Sequence, residues 1–241
     1  VTVEPEIFPS ADWPERVARE LAGRVVANPG LRLCLPTGDT PAPVYEALPA
    51  ELARAGASLA GVTIVALDEW LGLPPGDPAR CDERLRRDLV ARVAPRPALH
   101  TFRVDELAPE AAVAEIDAIA AAGLGLVVLG LGANGHVGFN EPGSAADSPS
   151  RVVELAELSR RAATERYGAT RVPTGGVTLG LARLLEAAEV WLLVTGERKR
   201  EVLARVLSGP QSEDCPATFL RGHPGLRVLA DDAAAGPRRV P

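Results

Sequence analysis

The stretch Gly130-Leu131-Gly132-Ala133-Asn134-Gly135-His136-Val137-Gly138-Phe139-Asn140-Glu141-Pro142-Gly143 gathers residues able to move protons. It holds five glycines in fourteen residues, one of the three histidines of the chain and two of its three asparagines. Glycine lets a backbone approach a ligand closely. A histidine with one ring nitrogen held by an amide or carboxylate has a fixed tautomer and exchanges protons through the other. Asn134 and Glu141 flank His136 and are the candidates for that hold. A structural histidine in a turn is the competing reading. The spacing Gly130-x-Gly132-x-x-Gly135 superficially fits a dinucleotide loop. It lies mid-chain, however, and runs into His-x-Gly-Phe-Asn-Glu-Pro and not into an amphipathic helix, which excludes that use.

Two further segments carry chemistry. Asp68 and Glu69 close an otherwise apolar run, Val62 to Leu67. Burial at such a place raises a carboxyl pKa and makes a workable general base. Side chains alternate on extended backbone, so one of the two carboxylates is expected to face a given pocket. A solvated strand end is the alternative. Pro36-Thr37-Gly38-Asp39-Thr40-Pro41 combines a turn glycine, a residue suited to a helix N-cap (Thr40) and a proline suited to the first helical position. Helix-start N–H groups and two threonine hydroxyls make an anion site, although Asp39 opposes an anion unless it points away. The alternative is an ordinary strand-to-helix turn.

These segments need a scaffold, and the apolar patterning supplies one. Strands are expected at Leu31–Leu35, Val62–Leu67, Thr101–Val104, Leu124–Gly130, Val190–Val194 and Leu226–Ala230, and helices at Pro43–Arg54, Cys81–Val93, Pro109–Ala122 and Glu197–Leu207. The run at 124–130 is continuously apolar, as in a parallel strand buried on both faces. Alternating strands and helices predict an α/β fold: one domain over residues 1–241, a mostly parallel sheet with helices on both faces, Rossmann-like. Ligands of such sheets bind beyond the carboxyl ends of the strands, which is where all three segments fall. Residues 143–172 are polar and weakly periodic, with a short helix near Leu155–Tyr167, and are expected to form a mobile lid. The tail 233–241 is expected to fray.

Composition narrows the classes. A chain of 241 residues with 46% hydrophobic and 24% charged residues is globular, and its net charge of -6 argues against a nucleic-acid partner or a basic membrane-surface protein. No apolar run is long enough to span a bilayer, and residues 1–4 do not open a secretory signal. Cys34, Cys81 and Cys215 have neither metal-ligand nor disulfide spacing, which suits a reducing, cytoplasmic setting with no metal. Of the 26 Lys and Arg residues only residue 199 is lysine. It stands at a predicted helix start, where a cation is disfavoured unless an anion is bound there.

Taken together, these motifs resemble the glucosamine-6-phosphate deaminase/isomerase family. Gly-x-Gly-x-[Asp/Asn]-Gly-His-Ile-[Ala/Gly]-Phe-Asn-Glu-Pro is that family's signature. Pro36–Pro41 is similar to its phosphate turn, Leu67–Pro74 to its Asp-Glu-[Tyr/Trp]-x-Gly-Leu element, and Val194–Lys199 to the strand-Gly-x-x-Lys that supplies a phosphate lysine. All four stand in family order and span nearly the whole chain. The resemblance implies conversion of D-glucosamine 6-phosphate and water to D-fructose 6-phosphate and ammonia, with no metal or organic cofactor. It implies Asp68 as the base shuttling a proton between C2 and C1, and His136 as the ring-opening proton carrier held by Glu141 and Asn134. Thr37, Gly38, Asp39, Thr40 and Lys199 would bind the phosphate, with Arg166 as the lid arginine and Arg160 or Arg161 as alternatives.

Departures from the pattern are Asn134, where some members have Asp, and Asp39, where a small or neutral residue is usual. Val153 stands where allosteric hexameric members carry Lys, two residues after the equivalent of Arg151, so a monomer or small homo-oligomer is expected. The related 6-phosphogluconolactonases share the Gly-His core but not the Phe139-Asn140-Glu141-Pro142 continuation. A lactonase remains the second reading. A non-catalytic sugar-phosphate sensor is the third, although sensors of this kind carry a DNA-binding module that is not seen in this sequence.

Overall fold

The computed structural model describes residues 3–236. Its elements, in chain order, are β1 (Glu6–Phe8), α1 (Trp13–Ala27), β2 (Arg32–Leu35), α2 (Ala42–Ala55), β3 (Thr63–Ala66), β4 (Asp68–Leu71), α3 (Cys81–Asp88), β5 (Ala98–His100), α4 (Pro109–Ala121), β6 (Leu126–Gly130), β7 (Arg151–Val153), α5 (Glu157–Glu165), β8 (Gly175–Thr178), α6 (Leu181–Leu184), β9 (Glu189–Val194), α7 (Arg200–Ser208), β10 (Leu226–Asp231) and α8 (Asp232–Ala235). Seven strands form one sheet in the order β1-β10-β9-β6-β2-β3-β5, with every neighbouring pair parallel. Its central strands are apolar because both faces are covered. Leu33, Cys34, Leu35, Val127, Leu129 and Val190 to Val194 are all buried.

From β2 the chain proceeds outward through β3 to β5. It then returns to β6 on the other side of β2 and proceeds outward through β9 to β10. The loops leaving β2 and β6 therefore diverge. The space between them, at the carboxyl ends of the strands, is where open α/β sheets place their ligands.

A second, antiparallel sheet, β4-β8-β7, is absent from the sequence expectations. Its strands are three or four residues long, too short for a period to be read. The chain changes sheets at Leu67. The Leu67 N–H donates to Leu35 O, whereas its carbonyl accepts from Leu179 N, and Asp68 then pairs with Thr178. Asp68 thus stands at the seam between the two sheets.

The other differences are local. The expected strand at Thr101–Val104 lies three residues early, at Ala98–His100, and the expected helix to Val93 ends at Asp88, followed by a short 3-10 turn at Val90–Arg92. Thr40 is not an N-cap: α2 begins at Ala42, after Pro41, and the Thr40 hydroxyl pairs with that of Thr195 instead. Within 143–172, Arg151–Val153 is paired into the second sheet, so the part that covers the cavity is shorter: α5 with Arg166 and Tyr167. Residues 232–235 form α8, and of the expected frayed tail, 237–241 lie outside the described residues. Among the described residues no helix is long and apolar enough to cross a membrane.

Candidate active site

A cavity of about 330 Å³ opens at the carboxyl ends of β2, β3, β6 and β9. Thr37, Gly38, Asp39 and Thr40 line it from the loop after β2, and Asp68 from the end of β3. Asn134 and His136 line it from the loop after β6, and Lys199 from the turn after β9. Arg166 and Tyr167 close it from the end of α5. A larger groove of about 490 Å³, lined by residues such as Glu110, Asp117, Arg151 and Arg183, holds none of the expected site residues.

The adjacent carboxylates have opposite surroundings, as strand alternation requires. Asp68 is buried and lines the cavity; burial pushes its pKa up to about 7, opposed by the Cys81 thiol and the Arg84 guanidinium. Glu69 faces the other way. Its Oε1 accepts from Trp70 N at 2.7 Å and Cys81 N at 2.9 Å, and its Oε2 from Asp82 N at 2.9 Å. It therefore fastens the first turn of α3, where unpaired N–H groups favour an anion.

His136 is held by Asn134: Nδ1 stands 2.6 Å from the amide Oδ1. An amide oxygen only accepts, so Nδ1 carries the proton and the neutral ring keeps its lone pair on Nε2. Burial, with Lys199 nearby, lowers the imidazole pKa to about 4, so the ring is neutral near pH 7. Gly132 makes this arrangement possible, because a Cβ there would collide with the imidazole ring. Gly138, at φ +56°, turns the chain against Leu67 and Thr178.

Glu141 departs from expectation and does not contact the imidazole. Its Oε2 accepts from Ala156 N at 3.2 Å, just before α5, and its Oε1 is buried without a partner. The cause is the reversal at Val137–Asn140. Asn140 is fully buried, and its Nδ2 donates to Val137 O at 3.1 Å and Leu179 O at 2.9 Å, which sends the next residue toward α5. Asn140 Oδ1 also accepts from Arg151, whose other guanidinium nitrogen donates to Ser144.

Two cationic groups, Lys199 and Arg166, line the cavity. Lys199 follows Gly196 in a 3-10 turn leading into α7. Burial lowers its pKa, Arg166 adds to that, and Asp39 opposes it. Arg166 pairs with Asp39, so the carboxylate that seemed to oppose an anion is neutralised locally. Arg161 pairs with Glu157 and Glu165 along α5, and neither it nor Arg160 lines the cavity. Of the three arginines, Arg166 is therefore the one at the site.

Residues given no site role from the sequence also line the cavity. Trp70 and Phe139 meet with ring centroids 4.5 Å apart. Tyr167 lies 4.2 Å from the Arg84 guanidinium, which seats the end of α5. Cys81, at the start of α3, touches both Thr37 and Asp68. The predicted helix start at 81 was its only signal in the sequence. Among the described residues no cluster of three or more His, Cys, Asp or Glu side chains could hold a metal ion.

Residues 10–228 match the family model of glucosamine-6-phosphate isomerases/6-phosphogluconolactonase. The chain is 37% identical to a glucosamine-6-phosphate deaminase of Rhodopirellula baltica, covering 97% of this chain and 95% of that one. It is 38% identical to one of an Arthrobacter species, covering 88% and 84%. Among solved structures, a monomeric glucosamine-6-phosphate deaminase superimposes with a TM-score of 0.87 at 29% identity, covering 98% of this chain and 99% of that one. A 6-phosphogluconolactonase from Trypanosoma cruzi superimposes at 0.75 and 18% identity, covering 100% and 99%, a likeness of fold alone.

Proposed function

This chain belongs to the family of glucosamine-6-phosphate isomerases and 6-phosphogluconolactonases, and we propose that within it the chain is a glucosamine-6-phosphate deaminase. The reaction is D-glucosamine 6-phosphate plus water giving D-fructose 6-phosphate plus ammonia. The observation that carries this reading is the pairing, in one cavity, of a buried carboxyl poised near neutrality, Asp68, with a neutral imidazole of fixed tautomer, His136. An aldose-to-ketose shift needs one base within reach of two adjacent carbons, and opening the sugar ring needs a second proton carrier. Lactone hydrolysis needs His136 but has no use for a base at C2.

In this mechanism Lys199 and Arg166, with the turn Thr37 to Thr40, hold the phosphate and orient the sugar over the cavity floor. Nε2 of His136 takes the proton of the anomeric hydroxyl and returns it to the ring oxygen, opening the pyranose. Asp68 removes the C2 proton and delivers it to C1, while O1 gains a proton and the amine nitrogen gives one up, converting the amino aldehyde to a ketimine. Water then adds at C2 and ammonia leaves. Asn134 keeps Nδ1 protonated throughout. Glu141 acts indirectly, by fastening the loop to the segment before α5.

The same proposal takes the protein as a monomer or small homo-oligomer, in keeping with the monomeric deaminase that it resembles. A cytoplasmic setting suits its three free, buried cysteines. The test is ammonia release from glucosamine 6-phosphate, run beside hydrolysis of 6-phosphogluconolactone on the same purified protein. Ammonia release is the expected result. Lactone hydrolysis without ammonia would overturn the reading in favour of the lactonase branch.

A further inference from the structure

Asp68 has one hydrogen-bond donor to its carboxylate among the described residues, and that donor is a thiol. Cys81 Sγ stands 3.4 Å from Asp68 Oδ1, and Thr37 Oγ1 stands 3.4 Å from Cys81 Sγ. We propose that Cys81 is a positioning residue for the catalytic base, its S–H donating to Oδ1 of Asp68 while its sulfur accepts from Thr37, so that the phosphate turn, the first turn of α3 and the base form one hydrogen-bonded chain. The inference rests on the assignment of Asp68 as the base.

Three observations support it. The first is how the contact is built. Glu69 accepts the N–H groups of Cys81 and Asp82, so the residue next to the base fixes the helix start that brings the thiol onto the base. The second is protonation. Burial, with Asp68 and Glu69 close by, pushes the Cys81 thiol well above its ordinary pKa, so it stays an S–H donor across the working range. The third is lack of competition. Of the other groups facing Asp68, Cys34 on β2 and Tyr45 on α2 are buried and pushed up, and stay neutral. Arg84 on α3 is a fixed positive charge, and His136 and Lys199 face the same cavity. None of these groups replaces the thiol as donor to Oδ1.

A donor to the charged form of a carboxyl favours that form. Asp68 works ionised, so kcat/KM is lost as pH falls through its pKa. Removing the donor raises that pKa and moves the acidic limb to higher pH. For Cys81→Ala the expected shift is about 0.5–1 pH unit, the size of one weak hydrogen bond, with kcat lowered more than KM is changed. Cys81→Ser keeps an O–H donor, and its limb is expected to return toward the wild-type position. A residue that merely fills space would not show that rescue.

A second readout does not depend on turnover. The S–H stretching band of Cys81, identified in the infrared by difference against Cys81→Ala, is expected to move to higher frequency in Asp68→Ala, where the acceptor is gone. Superimposable acidic limbs for wild type and Cys81→Ala, a serine variant that behaves like the alanine one, or an unmoved S–H band would each overturn the proposal. A wild-type protein that releases no ammonia would overturn the deaminase reading instead, and the infrared band would still decide whether the thiol donates to Asp68.

Discussion

Arg166, just past the end of α5, pairs with Asp39 in the turn after β2, so an ion pair spans the cavity mouth where a phosphate would enter. If Arg166 binds the substrate phosphate as proposed, that phosphate competes with the Asp39 carboxylate for the same guanidinium. Both partners are exposed, and such a pair is worth only about 0–1 kcal/mol. Asp39→Asn is therefore expected to lower KM for glucosamine 6-phosphate by up to about 5-fold, with kcat unchanged. A higher KM would show that the carboxylate serves chiefly to hold Arg166 in place. Steady-state kinetics at fixed ionic strength distinguish the two.

Lys199 is placed by the Gly196 turn at the foot of α7. In the proposed reaction its contact with phosphate would persist from ground state to transition state and so contribute mainly to KM. Lys199→Ala is expected to raise KM on the order of 10–100-fold, the value of one charge-assisted hydrogen bond, and to change kcat far less. An unchanged KM would remove Lys199 from the phosphate site.

As the proposed base, Asp68 would set both the isomerisation step and its pH dependence. Asp68→Asn is expected to lower kcat by on the order of 10²-fold or more and to stop exchange of the C2 proton with solvent, while the substrate still binds. In the wild type, kcat/KM is expected to fall on the acid side of about pH 7, because burial raises this carboxyl and its protonated form cannot act as base. Exchange at the wild-type rate in the mutant, followed by NMR in deuterated water, would show that another group abstracts the proton.

The parts of this site that sequence made legible are those set by a single local rule. Strand alternation separated Asp68 from Glu69, and apolar runs located β2, β3, β6 and β9, whose carboxyl ends carry nearly every candidate. The parts it hid depend on tertiary direction. Glu141 lies five residues from His136, but buried Asn140 reverses the chain and sends the carboxylate to Ala156. Cys81 meets Asp68 only because Glu69 docks α3. The short strands β4, β7 and β8 carry no period, and Thr40 had the chemistry of an N-cap but lies one residue before the cap position, which Pro41 occupies. The choice among Arg160, Arg161 and Arg166 needed the rotation of α5, which a weakly periodic segment does not specify.

Asn134 tests the electrostatics of the histidine separately from those of the base. From sequence alone, the acidic limb of activity would be assigned to His136, and Asn134→Asp would be expected to move it upward. The structure separates the two titrations. The imidazole sits at about 4, lowered by burial and by Lys199, whereas Asp68 sits at about 7. As pH falls the base is lost first, so Asp68 sets the limb. Asp in place of Asn134 puts a negative charge at the position now 2.6 Å from Nδ1, which favours imidazolium and raises the histidine pKa, by about 1–3 units for a close opposite charge. That rise still leaves His136 at or below Asp68. The expected outcome is an imidazole titration, followed by NMR of the ring, that moves up in Asn134→Asp while the acidic limb of kcat/KM moves by less than the imidazole does. A limb that moved in step with the imidazole would assign it to His136 after all, and an imidazole that did not move would break the contact between Asn134 and His136.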